Sequence, residues 1–168
     1  MPRVESFPPI APRDATTLIL GSMPGEASLR AGQYYAHPRN HFWPILGELV
    51  GFDPAAPYAR RVRALGGARI AVWDVLQSCV REGSLDSAID DGTLVPNDFA
   101  AFLRGHPQVA RVFFNGAKAE ASYRRYVLSS VAARQMSYRR LPSTSPANAS
   151  QSYARKLAAW RAIRRESS

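Results

Sequence analysis

Short apolar runs that end in glycine or polar residues alternate along the chain with segments whose apolar residues recur at helical spacing. The apolar runs predict four strands, at Thr16–Gly21, Arg69–Leu76, Val109–Asn115 and Ser137–Leu141. Strands that alternate with helices are typical of α/β proteins. We therefore predict a three-layer α/β/α sandwich around a central, mainly parallel four-stranded sheet. No repeat or linker divides residues 1–168, so we expect a single domain.

Helical periodicity is clearest after the polar residues at 37–41. There, apolar side chains at positions 42, 45, 46, 49 and 50 form one buried helical face, and Gly51 ends the helix. Three more helices are predicted: one over Tyr58–Leu65, one after Pro96-Asn97-Asp98, and one from Ala117 to about Leu128. For a last helix near the carboxyl end, Asn148 and Gln151 have the spacing of a capping box.

Three segments have neither the apolar runs of strands nor the spacing of apolar residues typical of helices. Residues 1–15 contain four prolines and are predicted to be an irregular arm. Residues 77–95 are predicted to be a polar connection, and Pro142–Ala149 a loop rich in Ser and Pro.

The loops after the first, third and fourth predicted strands would share one edge of a parallel sheet, where ligands bind in such folds. They carry the turn Gly21–Gly25, the pair Asn115-Gly116, and the loop Pro142–Ala149. Glycines in the first turn permit close approach of the backbone to a ligand. From the residues alone, this turn is either a binding site or simply a turn.

Charge narrows the choice of partner. The 168 residues include 22 Lys and Arg against 13 Asp and Glu, a formal net charge of +9. Such a surplus favours a polyanion, and nucleic acid before others. No apolar run approaches the roughly 20 residues of a membrane span, and no apolar signal segment is evident, so we expect a cytoplasmic protein without membrane contact. The single cysteine excludes an internal disulfide and a cysteine-held cluster.

Three segments together resemble a known family. They are the turn Gly21–Gly25, the string Tyr35–Trp43 (YAHPRNHFW) and the segment Leu141–Ser145 (LPSTS). They resemble the uracil-DNA glycosylase superfamily, most closely its hypoxanthine (deoxyinosine) DNA glycosylases and its mismatch-specific uracil/thymine branch. The resemblance extends over roughly residues 17–163. It implies the predicted α/β/α fold.

The first turn departs from two branches of that family. Met23 stands where the mismatch-specific branch has a water-positioning Asn, and the turn lacks the Asp of the classical uracil branch. The resemblance to the hypoxanthine group instead assigns the catalytic amide to Asn40. From the residues alone, Asn40 could equally cap the helix that begins near His41, and the two roles are compatible.

The resemblance also implies the remaining site residues. Ser22 and Met23 would offer backbone N–H groups to a base carbonyl, and Tyr35 would stack on the base unless it belongs to the core. His37 and Asn115 complete the expected substrate-binding set. Asp74 and Asp86 are ambiguous between general base and structural acceptor. The expected DNA contacts are Ser143, Thr144, Ser145, Pro146, Ala147 and Asn148.

The expected function is that of a monofunctional DNA glycosylase that acts as a monomer on DNA carrying a deaminated base, with hypoxanthine preferred. No metal or organic cofactor is expected, because Pro38 separates His37 from His41 and no further ligand cluster is present. Two alternatives stay open: a uracil/thymine mismatch glycosylase, and a basic nucleic-acid-binding module without catalysis. A nucleotide-binding α/β enzyme is disfavoured, since no G-x-G-x-x-G or P-loop pattern is present.

Overall fold

A computed structural model describes residues 3–164. Its strands, in chain order, are β1 (Arg3–Glu5), β2 (Thr17–Gly21), β3 (Ile70–Asp74), β4 (Leu76–Arg81), β5 (Ile89–Pro96), β6 (Arg111–Asn115) and β7 (Ser137–Leu141). The α-helices are α1 (Glu26–Ala31), α2 (Phe42–Val50), α3 (Tyr58–Gly67), α4 (Phe99–Gly105), α5 (Ala117–Tyr126) and α6 (Tyr153–Trp160). Short 3₁₀ turns cover Asp86–Ala88, Leu128–Val131 and Arg161–Ile163.

The central sheet contains four strands in the order β3-β2-β6-β7, and all three pairings are parallel. Gly21 is in register with Asp74, and Asn115 is in register with Leu141. The carboxyl ends of the strands therefore meet at one edge. The predicted sheet is confirmed.

Alternate side chains of β2 pack on opposite faces of this sheet, as the two-residue period of a strand requires. Leu18 and Leu20 join the cluster that includes residues of α4 and α5, whereas Ile19 joins the one that includes residues of α2, α3 and α6. Both faces are thus covered by helices, which confirms the three-layer α/β/α architecture and explains the continuous apolar run Leu18-Ile19-Leu20 in β2.

A second sheet was missed by the sequence analysis. β4 pairs with both β1 and β5 in antiparallel fashion, in the order β1-β4-β5. The predictions of an irregular arm over residues 1–15 and of a polar connection over 77–95 are therefore wrong for these strands. β5 is largely exposed and carries Asp90-Asp91-Gly92, and β4 contains register shifts, so neither strand has a regular alternation of apolar residues.

Two local expectations also differ from the structure. α1 was not predicted; it is only six residues long and ends at Gly32, which adopts the left-handed conformation at φ 64°. The N-cap of α6 is Ser152, whose Oγ accepts a hydrogen bond from the N–H of Arg155 at 3.2 Å. Asn148 instead donates from Nδ2 to the carbonyl of Ser143 at 3.1 Å, which closes the loop before α6.

No helix within residues 3–164 is long and apolar enough to cross a membrane.

Candidate active site

A cavity of about 430 Å³ opens at the carboxyl edge of the parallel sheet. A volume of this size is in the range of ligand sites. Its wall includes every site residue that the sequence analysis singled out: Ser22, Met23, Tyr35, His37, Asn40, Asn115, Ser143, Thr144, Ser145, Pro146, Ala147 and Asn148. Asp74 and residues 84–87 line it as well. The segments are brought together because β2, β6 and β7 are adjacent and parallel.

Asn40 lies at the start of α2, in a tight turn closed by its own N–H, which donates to the carbonyl of His37 at 2.9 Å. Its Oδ1 accepts a hydrogen bond from the N–H of Phe42 at 2.9 Å. The amide therefore satisfies one of the free N–H groups of the first helical turn. Because an amide oxygen has two lone pairs, this contact fixes the side chain and leaves one lone pair for another donor.

The loop at 142–148 is held against α2 and β6 through Thr144. The amide of Asn115 donates to Thr144 Oγ1 and accepts from the Thr144 N–H, both at 2.9 Å. The carbonyl of Thr144 accepts from the N–H of His41 at 3.0 Å. The Thr144 residue is fully buried. Contrary to the expectation for Thr144, its hydroxyl is therefore occupied within the protein and not presented to a phosphate.

Tyr35 adopts a backbone conformation that is uncommon for a non-glycine residue, with φ 54°. One face of its ring stacks on Phe42, with centroids 4.0 Å apart and an interplanar angle of 24°. The Tyr35 hydroxyl is buried and makes no well-formed hydrogen bond with residues 3–164, although the Asn115 amide lies nearby. Burial, and secondarily the Asp74 carboxylate, hold the pKa of the Tyr35 hydroxyl far above its usual value.

Gly21 is required where β2 reaches the cavity. A Cβ atom at this position would lie 2.7 Å from Asp74 Oδ1 and 2.9 Å from the Tyr35 hydroxyl oxygen. Both distances are shorter than real contacts allow, so the two polar side chains converge over the bare backbone of Gly21. This convergence forms a polar wall at the strand ends.

Asp74 ends β3 and is almost completely buried. Burial raises the pKa of its carboxyl to about 7, and the neighbouring charge of Asp86 adds to the rise. The Ser6 hydroxyl, which donates to Asp74 Oδ2 at 3.0 Å, and the positive charge of Arg81 act in the opposite direction. Asp74 is therefore close to half-protonated at neutral pH.

This pKa makes folding stability depend on pH. The carboxyl ionises near 4 in the unfolded chain but near 7 in the folded protein, so between these values the folded state binds the extra proton. Stability contributed by Asp74 is therefore full below pH 4 and is lost as pH rises towards 7. We expect Asp74→Asn, which cannot ionise, to become progressively more stable relative to the wild type across this interval. Urea denaturation of both proteins from pH 4 to 8 measures the difference; a difference independent of pH would contradict the assignment.

The loop between β4 and β5 closes one side of the cavity, and the sequence analysis did not place it there. Arg81 is buried; its Nη2 donates to the Pro24 carbonyl at 2.6 Å and its Nε to the Gly83 carbonyl at 2.8 Å. Ser84 Oγ accepts from the N–H of Glu26 at 2.8 Å. In the sequence, only an arginine within a polar segment marks this loop, and that signal is too weak to be interpreted alone.

Lys156 is a second functional candidate that sequence reasoning missed. It is almost fully buried on α6, and its Nζ lies 3.2 Å from His41 Nδ1. Burial lowers the pKa values of both Lys156 and His41, and the charge of Lys156 lowers that of His41 further. A neutral His41 can accept this hydrogen bond from the ammonium group. The contact attaches α6 to the residue that follows Asn40.

Both histidines of the string at 35–43 use Nδ1 in contacts within the protein. His37 Nδ1 accepts from the N–H of Arg39 at 3.1 Å, within the same turn. In the part of the chain that the structure describes, no three His, Cys, Asp or Glu side chains are grouped to hold a metal ion.

The sequence model of the uracil DNA glycosylase superfamily matches residues 7–164. The chain belongs to this superfamily. The match includes both the parallel sheet and the loops that line the cavity. The prediction of a DNA glycosylase is thereby confirmed at the level of the enzyme class, with DNA as the substrate.

Individual relatives agree with this assignment. A hypoxanthine DNA glycosylase of Methanosarcina barkeri is 40% identical over 115 residues, which cover 68% of this chain and 72% of that protein. A protein of the same name from Methanosarcina acetivorans is 38% identical over 114 residues, covering 67% and 71% of the two chains. The solution NMR structure of a candidate uracil DNA glycosylase from Methanosarcina acetivorans aligns with a TM-score of 0.80 at 34% identity, covering 96% of each chain.

Proposed function

We infer that this superfamily member is a monofunctional DNA glycosylase that releases hypoxanthine from DNA. The observation that carries the proposal is the arrangement of Asn40, whose amide is fixed by the start of α2 on the wall of the cavity while Met23 occupies the neighbouring turn. The two relatives named hypoxanthine DNA glycosylase support the choice of base.

The target base must leave the duplex before it can enter the cavity, which costs a few kcal/mol and least for a mispaired base. The face of Tyr35 opposite Phe42 offers a rigid platform for the flipped base, because Phe42 and the unusual backbone of Tyr35 hold the ring in place. Stacking of a base on an aromatic ring is worth about 1–3 kcal/mol. His37 would contact the base or its sugar from the entrance side of the same wall.

Asn40 would hold the attacking water. The lone pair of Oδ1 that Phe42 does not use accepts a hydrogen bond from the water and directs it to C1′ of the sugar. An amide is not a strong base. It is sufficient when the glycosidic bond is largely broken before the water attacks, because the sugar then has oxocarbenium character and needs only a positioned nucleophile.

Negative charge develops on the departing base and requires hydrogen-bond donors. Among the turn and loop hydrogen bonds of residues 3–164, the N–H groups of Ser22 and Met23 are not donors to other backbone groups, so both are available to a base carbonyl. The Asn115 amide, held by Thr144, provides a further oriented dipole. Donors fixed in advance of the reaction stabilise such charge most effectively.

The loop at 143–148 would contact the DNA backbone on either side of the flipped nucleotide. The hydroxyls of Ser143 and Ser145 accept hydrogen bonds from the N–H groups of Ser145 and Ala147, at 3.2 Å and 3.1 Å. Each hydroxyl keeps its own proton, which it can donate to a phosphate oxygen. The tip of the loop would fill the space left in the base stack; it consists of Pro146, Ala147 and Asn148. Ala147 is exposed. Asn148 stabilises the tip by donating a hydrogen bond to the carbonyl of Ser143.

The positions of the two lysines support a hydrolytic reaction without strand cleavage. A lyase step requires an amine nucleophile at the sugar. Neither of the two lysines lines the cavity: Lys118 pairs with Asp91 at 2.5 Å, and Lys156 is buried against His41. The expected products are therefore a free base and an intact strand with an abasic site.

A panel of oligonucleotides tests the choice of base. Duplex and single-stranded substrates carrying hypoxanthine, uracil or xanthine are incubated with the protein under single-turnover conditions, and abasic sites are cleaved with alkali. We expect hypoxanthine to be released fastest. Faster release of uracil from G·U pairs would overturn the proposal in favour of a mismatch-specific uracil glycosylase.

A further inference from the structure

The proposed mechanism gives no role to Asp86, one of the carboxylates that line the cavity. Asp86 begins the 3₁₀ turn before β5 and lines the cavity. Its Oδ1 accepts a hydrogen bond from Ser22 Oγ at 2.5 Å. Within residues 3–164, no hydrogen bond reaches its Oδ2, so this oxygen is available to a ligand.

The loop that carries Asp86 is fixed to the turn that carries Ser22. Arg81 joins the two by donating to the carbonyls of Pro24 and Gly83, and the hydroxyl of Ser84 accepts from the backbone of Glu26. A carboxylate held in this way is positioned before substrate arrives. It contacts the side chain of Ser22, the residue whose N–H, together with that of Met23, is assigned to a base carbonyl in the proposed mechanism.

Hypoxanthine and adenine differ in the pattern of donors and acceptors at two neighbouring positions. Hypoxanthine has a carbonyl oxygen at C6 and an N–H at N1, whereas adenine has an amino group at C6 and a lone pair at N1. An ionised carboxylate is acceptor-only. It binds the N1–H of hypoxanthine and repels the lone pair of adenine, so it can reject a normal base of DNA that otherwise has the same ring.

On the basis of the proposed function, we propose that Asp86 determines specificity by accepting a hydrogen bond from N1–H of hypoxanthine, while the backbone N–H groups of Ser22 and Met23 bind the adjacent O6. The two base groups and the two protein residues are neighbours in the same way. O6 and N1 are bonded to the same carbon, and Asp86 is hydrogen-bonded to Ser22. The Ser22 hydroxyl occupies Oδ1, so Oδ2 is the oxygen that would accept from the base.

Asp74, another carboxyl that lines the cavity, is less suited to this discrimination. Its Oδ2 accepts from Ser6, and burial raises the pKa of the group to about 7. A carboxyl that is partly protonated can donate as well as accept, so it would tolerate either pattern at N1.

The test compares release of hypoxanthine with that of 1-methylhypoxanthine, in which the N1–H is replaced by a methyl group. Wild type and Asp86→Ala are assayed on duplexes that differ only at this position. A hydrogen bond to a charged group contributes roughly 10- to 100-fold in rate or affinity. We expect the wild type to favour hypoxanthine by at least this factor and Asp86→Ala to lose at least tenfold of the preference, since it removes the acceptor and opens space for the methyl group.

The ratio of the two rates is measured on one preparation, so a misfolded fraction lowers both rates equally and leaves the ratio unchanged. Glu82→Gln is the matched control; it removes one negative charge from the same loop at an exposed position outside the cavity wall. Its ratio should equal that of the wild type. An unchanged ratio in Asp86→Ala, or an equal loss in Glu82→Gln, would overturn the proposal.

If Asp86→Ala does not fold, Asp86→Asn provides the test, because the amide keeps the volume and can still accept from Ser22. Its NH₂ group can donate to N1 of adenine, so the preference for hypoxanthine over adenine should fall at least tenfold; an unchanged preference would overturn the proposal. Failure of the inference is distinguishable from failure of the proposed function, since in the latter case the wild type itself releases no hypoxanthine.

Discussion

Replacement of Asn40 by Ala is expected to slow base release by about 10²–10³-fold or more, the range found when one preorganised polar group is removed from an active site. The variant loses the oxygen that would hold the attacking water, while the remainder of the cavity stays in place. It also loses the hydrogen bond from Phe42 N–H at 2.9 Å, which should cost about 1 kcal/mol of stability. Single-turnover release of hypoxanthine and thermal unfolding measure the two effects separately.

Asn40→Ser separates catalysis from helix capping. Serine caps helices about as well as asparagine, so this variant should unfold near the wild-type temperature, yet it lacks the amide and should be as slow as Asn40→Ala. If Asn40→Ser is both stable and active, the side chain serves only to begin α2, and the water is held by another group.

The second large effect on the rate of base release is expected from substitution of Asn115. Asn115→Asp keeps an oxygen to accept from the Thr144 N–H, and the Thr144 hydroxyl can reverse its direction and donate. The loop at 142–148 should therefore remain in place. Base release should nevertheless fall by about 10²-fold, because a carboxylate replaces a donor beside a base that is becoming negative. The rate constant at saturating protein reports this loss.

Asn115→Leu is the contrasting variant. It leaves both Thr144 groups buried without partners, and each such group costs about 1–3 kcal/mol. Stability and activity should then fall together. Equal activity of Asn115→Asp and the wild type would show that Asn115 acts only by holding Thr144, and that the donors to the base lie elsewhere.

The sequence was sufficient to predict the parallel sheet because the central residues of β2, β3 and β6 are buried on both faces and therefore form apolar runs. It was insufficient for β4 and β5. In the exposed β5, paired aspartates and a glycine replace the alternation that identifies a strand. Patterns of burial can be recognised in a sequence only where burial is extensive.

The candidate site, like the fold, could be predicted from the sequence only in part. Asn40, Tyr35 and Asn115 could be named because they follow strands or belong to a string of residues typical of the family. The position of Asp86 depends on Arg81, which binds the Pro24 carbonyl from 57 positions along the chain. A contact of this kind depends on how the second sheet packs against the first turn. No local pattern of residues encodes it.

The central claim is that this cavity performs chemistry on DNA and does not merely bind it. The most direct measurement is the amount of free hypoxanthine released when excess protein is mixed with a duplex containing one deoxyinosine, with base quantified by mass spectrometry and binding followed in parallel. We predict one equivalent of free base per duplex, with the DNA strand intact until alkali is added. Binding of the duplex without release of base would contradict the account and identify the protein as a nucleic-acid-binding module.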